Sequence, residues 1–487
     1  HDRNSIDPVY QWFTVMKWLL FYPELFYFAG GLAFICLSMS KRSTPRRDYF
    51  TALVLAALGV VVCLAAVNRE GFLFFNTYRV DLFSQVFKMM LSLGLFLIIS
   101  ICSELKTISP RHHPEFYFLL FVCTLAMMLL VSSVHILTIY VALELSSYSL
   151  YILVALRRDE KMSLEAGIKY FLVGIFASAI MLFGVALLYS TTQANYVTDM
   201  IRVLPGMLAT PTVLIGLLLT LCGFFFKLAV FPFHFWAPDV YQGAANQATA
   251  YIATASKVAA IAILTRMVAV TGPGSIYLVH ALVTLSIISM TLGNLAAIVQ
   301  KDLKRLLAYS AVAHAGYVLI GILSMNSAGY ASVIFYAVAL LIMKFTAFLV
   351  VVKVADDGRN LEISQLAGLH RRSPLLAMAL MVSVFSLAGI PPTIGFTGKF
   401  LIFAAAMQNG YFTLVLIAMI NVVISLYYYL LILKAAYLQE PEDELPPLHL
   451  SQPTAILTGV LVVAMVVVGI YPTYLFELAR AAAGALM

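Results

Sequence analysis

At 487 residues, 62% hydrophobic, 11% charged and with a mean hydropathy of +0.96, the chain is too apolar for a soluble enzyme or a nucleic-acid binder. Its formal net charge of +7 is spread over short loops between apolar runs, so membrane topology accounts for it better than a polyanionic partner does. The five cysteines, Cys36, Cys63, Cys102, Cys123 and Cys222, contain no CxxC pair, which leaves zinc, iron-sulfur and disulfide readings without support; they are expected to be buried, inert thiols.

In chain order, a polar start (HDRNSIDP) precedes the first apolar run, so no cleavable signal peptide is expected. Fourteen spans follow: 18–40, 49–67, 80–103, 115–132, 134–156, 165–190, 210–231, 246–270, 275–299, 303–324, 327–354, 374–408, 411–438 and 453–475. They are continuous rather than alternating, so they read as helices and not as barrel strands. The fold class is an all-α polytopic membrane protein. The fourth and fifth spans are separated only by Ser133.

The loops after the odd spans are rich in Lys and Arg, among them Lys41, Arg42, Arg46, Arg47, Lys106, Arg157, Arg158, Lys301, Lys304, Arg305, Arg371 and Arg372. After the even spans come only Arg69, Arg79, Arg202 and Arg266. This bias puts the odd-numbered connections in the cytoplasm and both termini outside.

Charges also fall inside spans: Lys88, Lys169, Lys227, Lys257, Lys344 and Lys399, with Glu144 well inside span 5 and Glu24 near the end of span 1. Each costs about 2.5 to 3.5 kcal/mol at a helix centre, so such residues mark function or pairing. Lys88 and Lys169 read as structural or snorkelling side chains.

Two spans are interrupted. Span 7 breaks at Pro232 just beyond Lys227, in CGFFFKLAVFPFHFWAPDVYQGA, and span 12 carries Gly389, Pro391, Pro392, Gly395 and Gly398 just before Lys399. Breaks at membrane depth occur where protein or a wet cavity satisfies the freed backbone, and paired breaks suit inverted repeats around an ion path. The spacing from Glu144 to Lys227 is 83 residues and from His314 to Lys399 is 85. Spans 4–8 and 9–13 therefore read as two five-helix units, inverted because five is odd. The divisions are 1–114 for the N-terminal helices, 115–270 and 275–438 for the units, and 439–487 for the C-terminal helix.

The chemistry inferred is proton relay. A lysine in a low dielectric gives up its proton readily, and a nearby carboxylate holds it on. At an effective dielectric of about 20 such a pair is worth roughly 4 kcal/mol at 4 Å and about 2.4 at 7 Å, so a small separation releases a proton. Glu144, Lys227, Lys257 and Lys399 carry this reading, with His314 as a bridge suited by its titration near neutrality. Lys344 and His234 are further candidates with structural alternatives, and Tyr427, Tyr428 and Tyr429 either lead water in or pack. No cofactor-binding or metal-binding residue is identified.

The segments KLAVFPFHFWAPDVYQGA, ASKVAA, KDLKRLLAYSAVAHAGYVLIG and LAGIPPTIGFTGKF resemble the subunit N family of bacterial NADH-quinone oxidoreductase, equivalent to subunit 2 of mitochondrial complex I, over essentially all fourteen spans. The resemblance implies an antiporter-like proton-translocating subunit in which Glu144 modulates Lys227, Lys257 is central, His314 links the halves and Lys399 ends the relay. It implies quinone, NADH, FMN and iron-sulfur clusters on partner subunits, other membrane-arm subunits and lipid as partners, and a multi-pass place in the bacterial inner membrane. Two departures stand out: Ala245, Asn246 and Gln247 replace a Pro-Thr-Pro-like run, and Lys344 lies where a neutral residue such as asparagine is expected. A subunit of a multisubunit cation/proton antiporter, or of a related membrane oxidoreductase with another electron donor, is the alternative. A purely structural scaffold would hold its buried lysines in static pairs.

Overall fold

The computed structural model describes residues 18–40, 44–157, 160–272, 276–355, 357–441 and 446–486. Among them, thirteen helices are long and apolar enough to cross a membrane. Two shorter apolar helices, Pro374–Ala388 and Ile394–Gln408, form the two halves of span 12, which accounts for all fourteen spans. Spans 4 and 5 are His113–Ser132 and Ile136–Val154, so the short connection at Ser133 is a true boundary. Besides the spans there are a small antiparallel hairpin, Gly71–Leu73 with Tyr78–Val80, an amphipathic helix, Val197–Met207, and a last helix, Thr473–Gly484, that packs against span 11. The C-terminal segment thus holds two helices where one was expected.

Within each five-helix run every helix packs on the next, and the ring closes as span 4 meets span 8 and span 9 meets span 13. Spans 8, 10 and 11 are the most enclosed. They meet where span 8 and the second half of span 7 lie against spans 11 and 10.

The two breaks have the same construction. Span 7 runs Pro211–Leu228, then Ala229 turns left-handed at φ 64°, and Trp236–Gly243 resumes the helix. Span 12 runs Pro374–Ala388, with Gly389 left-handed at φ 87°. The Val230 N–H donates back to the Phe225 carbonyl at 2.9 Å, and the Ile390 N–H does the same to Phe385 at 2.9 Å. This is the left-handed C-terminal closure that satisfies orphan carbonyls. Ala229 and Pro232 match Gly389 and Pro392 at one constant offset of 160 positions, so the breaks are in register.

A third interruption carries no proline or glycine to mark it in the sequence. Span 8 is split at Thr254 into Asn246–Ala253 and Ala255–Ala269, three residues before Lys257. The unusual run at its start ties the helix down: Asn246 Nδ2 donates to the Ala355 carbonyl and Gln247 Nε2 to that of Glu104, each at 3.3 Å.

Several expectations are corrected. Arg266 is not a loop residue but lies in the last turn of span 8, 2% exposed, forked onto Asp81 with both bonds at 3.0 Å. Lys304 is likewise buried in the first turn of span 10. Glu24 is fully buried and ion-paired to Lys88 at 2.8 Å, so Glu144 is not the only acid that matters at depth. Cys36 is exposed and Cys222 only half-buried. Lys169 is exposed and paired to Asp239 at 2.7 Å and Glu165 at 2.8 Å, the structural role expected of it.

Candidate functional site

Lys227 stands in the last turn before the span 7 break because the Ala229 closure ends the helix there. It is 1% exposed, and its Nζ donates to Ser146 Oγ at 2.6 Å and Ser147 Oγ at 3.4 Å, both on span 5. Glu144, two residues earlier on span 5, does not touch it. Its carboxylate accepts from Ser178 on span 6, and it is half-exposed. Glu144 and Lys227 are therefore near neighbours without an ion pair. The serines that hold the lysine were visible in ELSSYSL but were not singled out.

Lys257 reaches across from span 8. Its Nζ donates to the Lys227 carbonyl at 3.0 Å and lies 4.7 Å from the centre of the Trp236 ring. Lys399 does the corresponding thing in the second unit: its Nζ donates to the Leu387 and Ala388 carbonyls at 2.8 and 3.0 Å and lies 4.8 Å from the Tyr317 ring. Residues 227 and 387 are equivalent in the 160-position register. Each unit thus presents an amine to the same C-terminal carbonyl of a half-helix, where the helix dipole favours a cation, and to the face of an aromatic ring. The counterpart of Lys399 is accordingly Lys257, although the sequence spacing had matched Lys399 to Lys227. Their chain positions differ, one following the break in the same span and the other coming from the next span.

His314 on span 10 is buried, with Nδ1 hydrogen-bonded to the Tyr336 hydroxyl at 2.6 Å and Nε2 to that of Tyr429 at 3.3 Å. Tyr429 also bonds Ser310 at 2.6 Å, and Tyr428 bonds Asn294 at 3.0 Å. Tyr427 faces outward, so the three tyrosines split into two inside the protein and one on its surface.

Lys344 on span 11 is 3% exposed, and its Nζ has no hydrogen-bond partner among the described residues. It lies within electrostatic reach of both Lys257 and His314, and so fills the interval between them. His314 in turn lies within reach of Lys399. The order across the molecule is Glu144, Lys227, Lys257, Lys344, His314, Lys399. His234 is buried in the span 7 break between Phe231 and Phe235. It bonds none of these lysines.

Among the described residues, Lys227, Lys257, Lys344 and Lys399 form no ion pair, whereas Lys88, Lys169, Arg266 and Arg305 do. Ion pairing is found around the axis and not on it. Lys304 belongs to the surroundings, its Nζ donating to the Ala244 carbonyl at 3.1 Å and closing the second half of span 7. Among the described residues no group of three or more His, Cys, Asp or Glu is placed to hold a metal ion. Beside Lys399 a cavity of about 550 Å³, lined by Phe396, Phe400, Phe403, Met407 and Met419, opens between spans 12 and 13.

The family model for NADH:quinone oxidoreductase/Mrp antiporter transmembrane proteins matches residues 133–425. NADH-quinone oxidoreductase subunit N 2 of Syntrophobacter fumaroxidans is 66% identical over 472 residues, covering 97% of this chain and all of that protein. The protein of the same name from Opitutus terrae is 40% identical over 94% of this chain and 96% of its own. A chain of respiratory complex I from Thermus thermophilus superposes with a TM-score of 0.82 at 33% identity, covering 94% of this chain and 99% of that one. A chain of the Mrp complex from Dietzia sp. reaches 0.85 over 96% of this chain and 97% of its own, and its 21% identity bears on the fold alone.

Proposed function

Because the chain belongs to the NADH:quinone oxidoreductase/Mrp antiporter transmembrane family, we propose that it is the N-type subunit in the membrane arm of a bacterial NADH-quinone oxidoreductase, where it translocates protons. The observation that carries this reading is the buried series of basic groups without ion pairs, running through two breaks of matching register. Glu144 and Lys227 form the entry half, Lys257 and Lys344 the centre, and His314 and Lys399 the exit half. A proton taken up on Lys227 Nζ passes by way of internal water to Lys257 and Lys344, then through the His314 ring to Lys399. Carbonyls at the ends of the half-helices hold the charged amines of Lys257 and Lys399, and the Ser146 hydroxyl holds that of Lys227. Motion of Glu144 toward or away from Lys227 sets how tightly the first proton is held, roughly 4 kcal/mol at 4 Å against about 2.4 at 7 Å.

The two relay units are 115–270 and 275–438, flanked in the chain by 1–114 and 439–487. In this reading the chain carries no redox centre. NADH, FMN, the iron-sulfur clusters and quinone are handled by other subunits of the complex, and quinone reduction there drives the relay. The chain spans the bacterial inner membrane many times with both termini on the outer side. His234 stays outside the relay and packs the break.

Purification of the native complex through a tag on this chain tests the assignment. NADH-quinone reductase activity with co-purifying flavin and iron-sulfur subunits supports it. Isolation with antiporter subunits alone, and sodium-dependent exchange in vesicles without redox activity, would replace it with the cation/proton antiporter reading.

A further inference from the structure

We propose that the first three spans carry a second proton path, a branch from the Lys227 site to the membrane face of loop 67–81 through Tyr251, Thr124, Tyr27, Ser92, Lys88 and Glu24. The branch rests on the relay reading above, because it needs a titrating site at Lys227 to serve.

From the inside outward, Ser146 holds the Lys227 amine at 2.6 Å, and the Cys123 thiol donates to the Ser146 carbonyl at 3.4 Å. Tyr251 on span 8 lies beside Cys123, and its hydroxyl bonds Thr124 on span 4 at 2.6 Å. Tyr251 is within electrostatic reach of Tyr27 on span 1, whose hydroxyl bonds Ser92 on span 3 at 2.6 Å. One helical turn along, about 6 Å away, Lys88 pairs with Glu24 at 2.8 Å, and Glu24 accepts from the Tyr78 hydroxyl at 2.7 Å. Tyr78 lines a mostly apolar cavity of about 560 Å³ together with Phe74, Thr77, Ser133, His135 and Leu137.

Span 3 is built for this. Gln85, Lys88 and Ser92 recur at helical spacing on one face, and all are at most 1% exposed. A helix in this position has no need of a buried polar stripe for packing, since each such group costs free energy unless it is satisfied. Both amide atoms of Gln85 and the Oε2 of Glu24 lack a hydrogen-bond partner among the described residues, and buried polar atoms of that kind are satisfied by internal water. Water between the Ser146 hydroxyl and Tyr251, between Tyr251 and Tyr27, and between Ser92 and Lys88 closes the remaining intervals, and water at Gln85 carries the path one turn beyond Lys88. In transfer, a proton leaves Lys227 Nζ, moves along the hydroxyls, and reaches Lys88 once the Lys88 amine has passed its own proton to Glu24. Glu24 then releases it past Tyr78.

The test uses the assembled complex in inverted vesicles, reading the initial rate of NADH-driven proton translocation per unit of this subunit. Tyr27→Phe removes only a hydroxyl, and Gln85→Leu fills the wet position without removing a charge, so both preserve folding better than Glu24→Gln does. Each is expected to slow translocation by about threefold or more, alongside a larger loss in Lys227→Met. If Tyr27→Phe and Gln85→Leu translocate at the native rate while Lys227→Met does not, the branch is overturned and the relay stands. If Lys227→Met also translocates at the native rate, the relay itself falls, and the branch with it.

Discussion

A buried amine is satisfied by a counter-ion, by carbonyl and hydroxyl acceptors, or by water, and the intramembrane lysines divide along these lines. Lys88 takes the first solution, Lys227, Lys257 and Lys399 the second, while the Lys344 amine meets no protein acceptor among the described residues. The difference has consequences. An unpartnered buried amine destabilises the fold, so Lys344→Met is expected to raise the thermal midpoint of the purified complex while slowing proton translocation severalfold. Thermal melts and vesicle assays on the same preparation check both signs; a fall in stability with unchanged translocation would make Lys344 structural. By contrast, Lys88→Met strands the Glu24 carboxylate, for which losses of about 3–5 kcal/mol are typical, and should reduce the amount of assembled subunit.

At the scale of elements, two close approaches fix the break regions. A Cβ on Gly243 would meet Ala166 Cβ at 2.6 Å and the Met162 carbonyl at 2.7 Å. Gly243→Ala is therefore expected to cost roughly 1–3 kcal/mol by overpacking, seen as a lowered melting temperature. The Arg266–Asp81 fork clamps the end of span 8 to the start of span 3. Burial pushes the Asp81 carboxyl up, but Arg266, the Ser84 N–H and Arg79 pull it down further, leaving it below the ordinary carboxylate range. A carboxyl so lowered contributes stability above its unfolded pKa, and that contribution is lost as pH falls through the folded value. Arg266→Ala removes the main lowering partner, so acid unfolding should begin at a higher pH than in the parent. An unchanged acid limb in pH-jump melts would show that the fork does not hold the carboxyl down.

These same elements show what could be read from residues alone. Lysines in apolar runs and prolines beside them are conspicuous, so Lys227, Lys257, Lys399 and both breaks were legible. Partnerships between distant positions were not. Nothing local ties Glu24 to Lys88, 64 positions on, or the Lys257 amine to the carbonyl of residue 227, and equal spacing suggested a match of Lys227 with Lys399 that the left-handed closures at Ala229 and Gly389 redirect. The break at Thr254 had no signal because it contains neither proline nor glycine. Arg266 and Lys304 were misplaced because a basic residue at a span end reads as a loop residue until its partner is known.

For the whole molecule, the loop charges predict that segment 67–81 faces outward and segment 355–362 inward. In a background with the five native cysteines replaced by alanine, Phe75→Cys should react with an impermeant thiol reagent in intact cells and Asp357→Cys only after the membrane is opened. Reversal of that pattern would invert the topology. In the proposed relay, the inverted arrangement of the two units puts the entry half and the exit half toward opposite faces, joined by spans 8, 10 and 11. NADH-driven proton translocation in vesicles carrying Lys227→Met measures whether protons pass through this joint. The complex is expected to assemble in native amount with translocation lowered about tenfold or more, the worth of roughly 1.4 kcal/mol; native translocation by the fully assembled variant would rule the relay out.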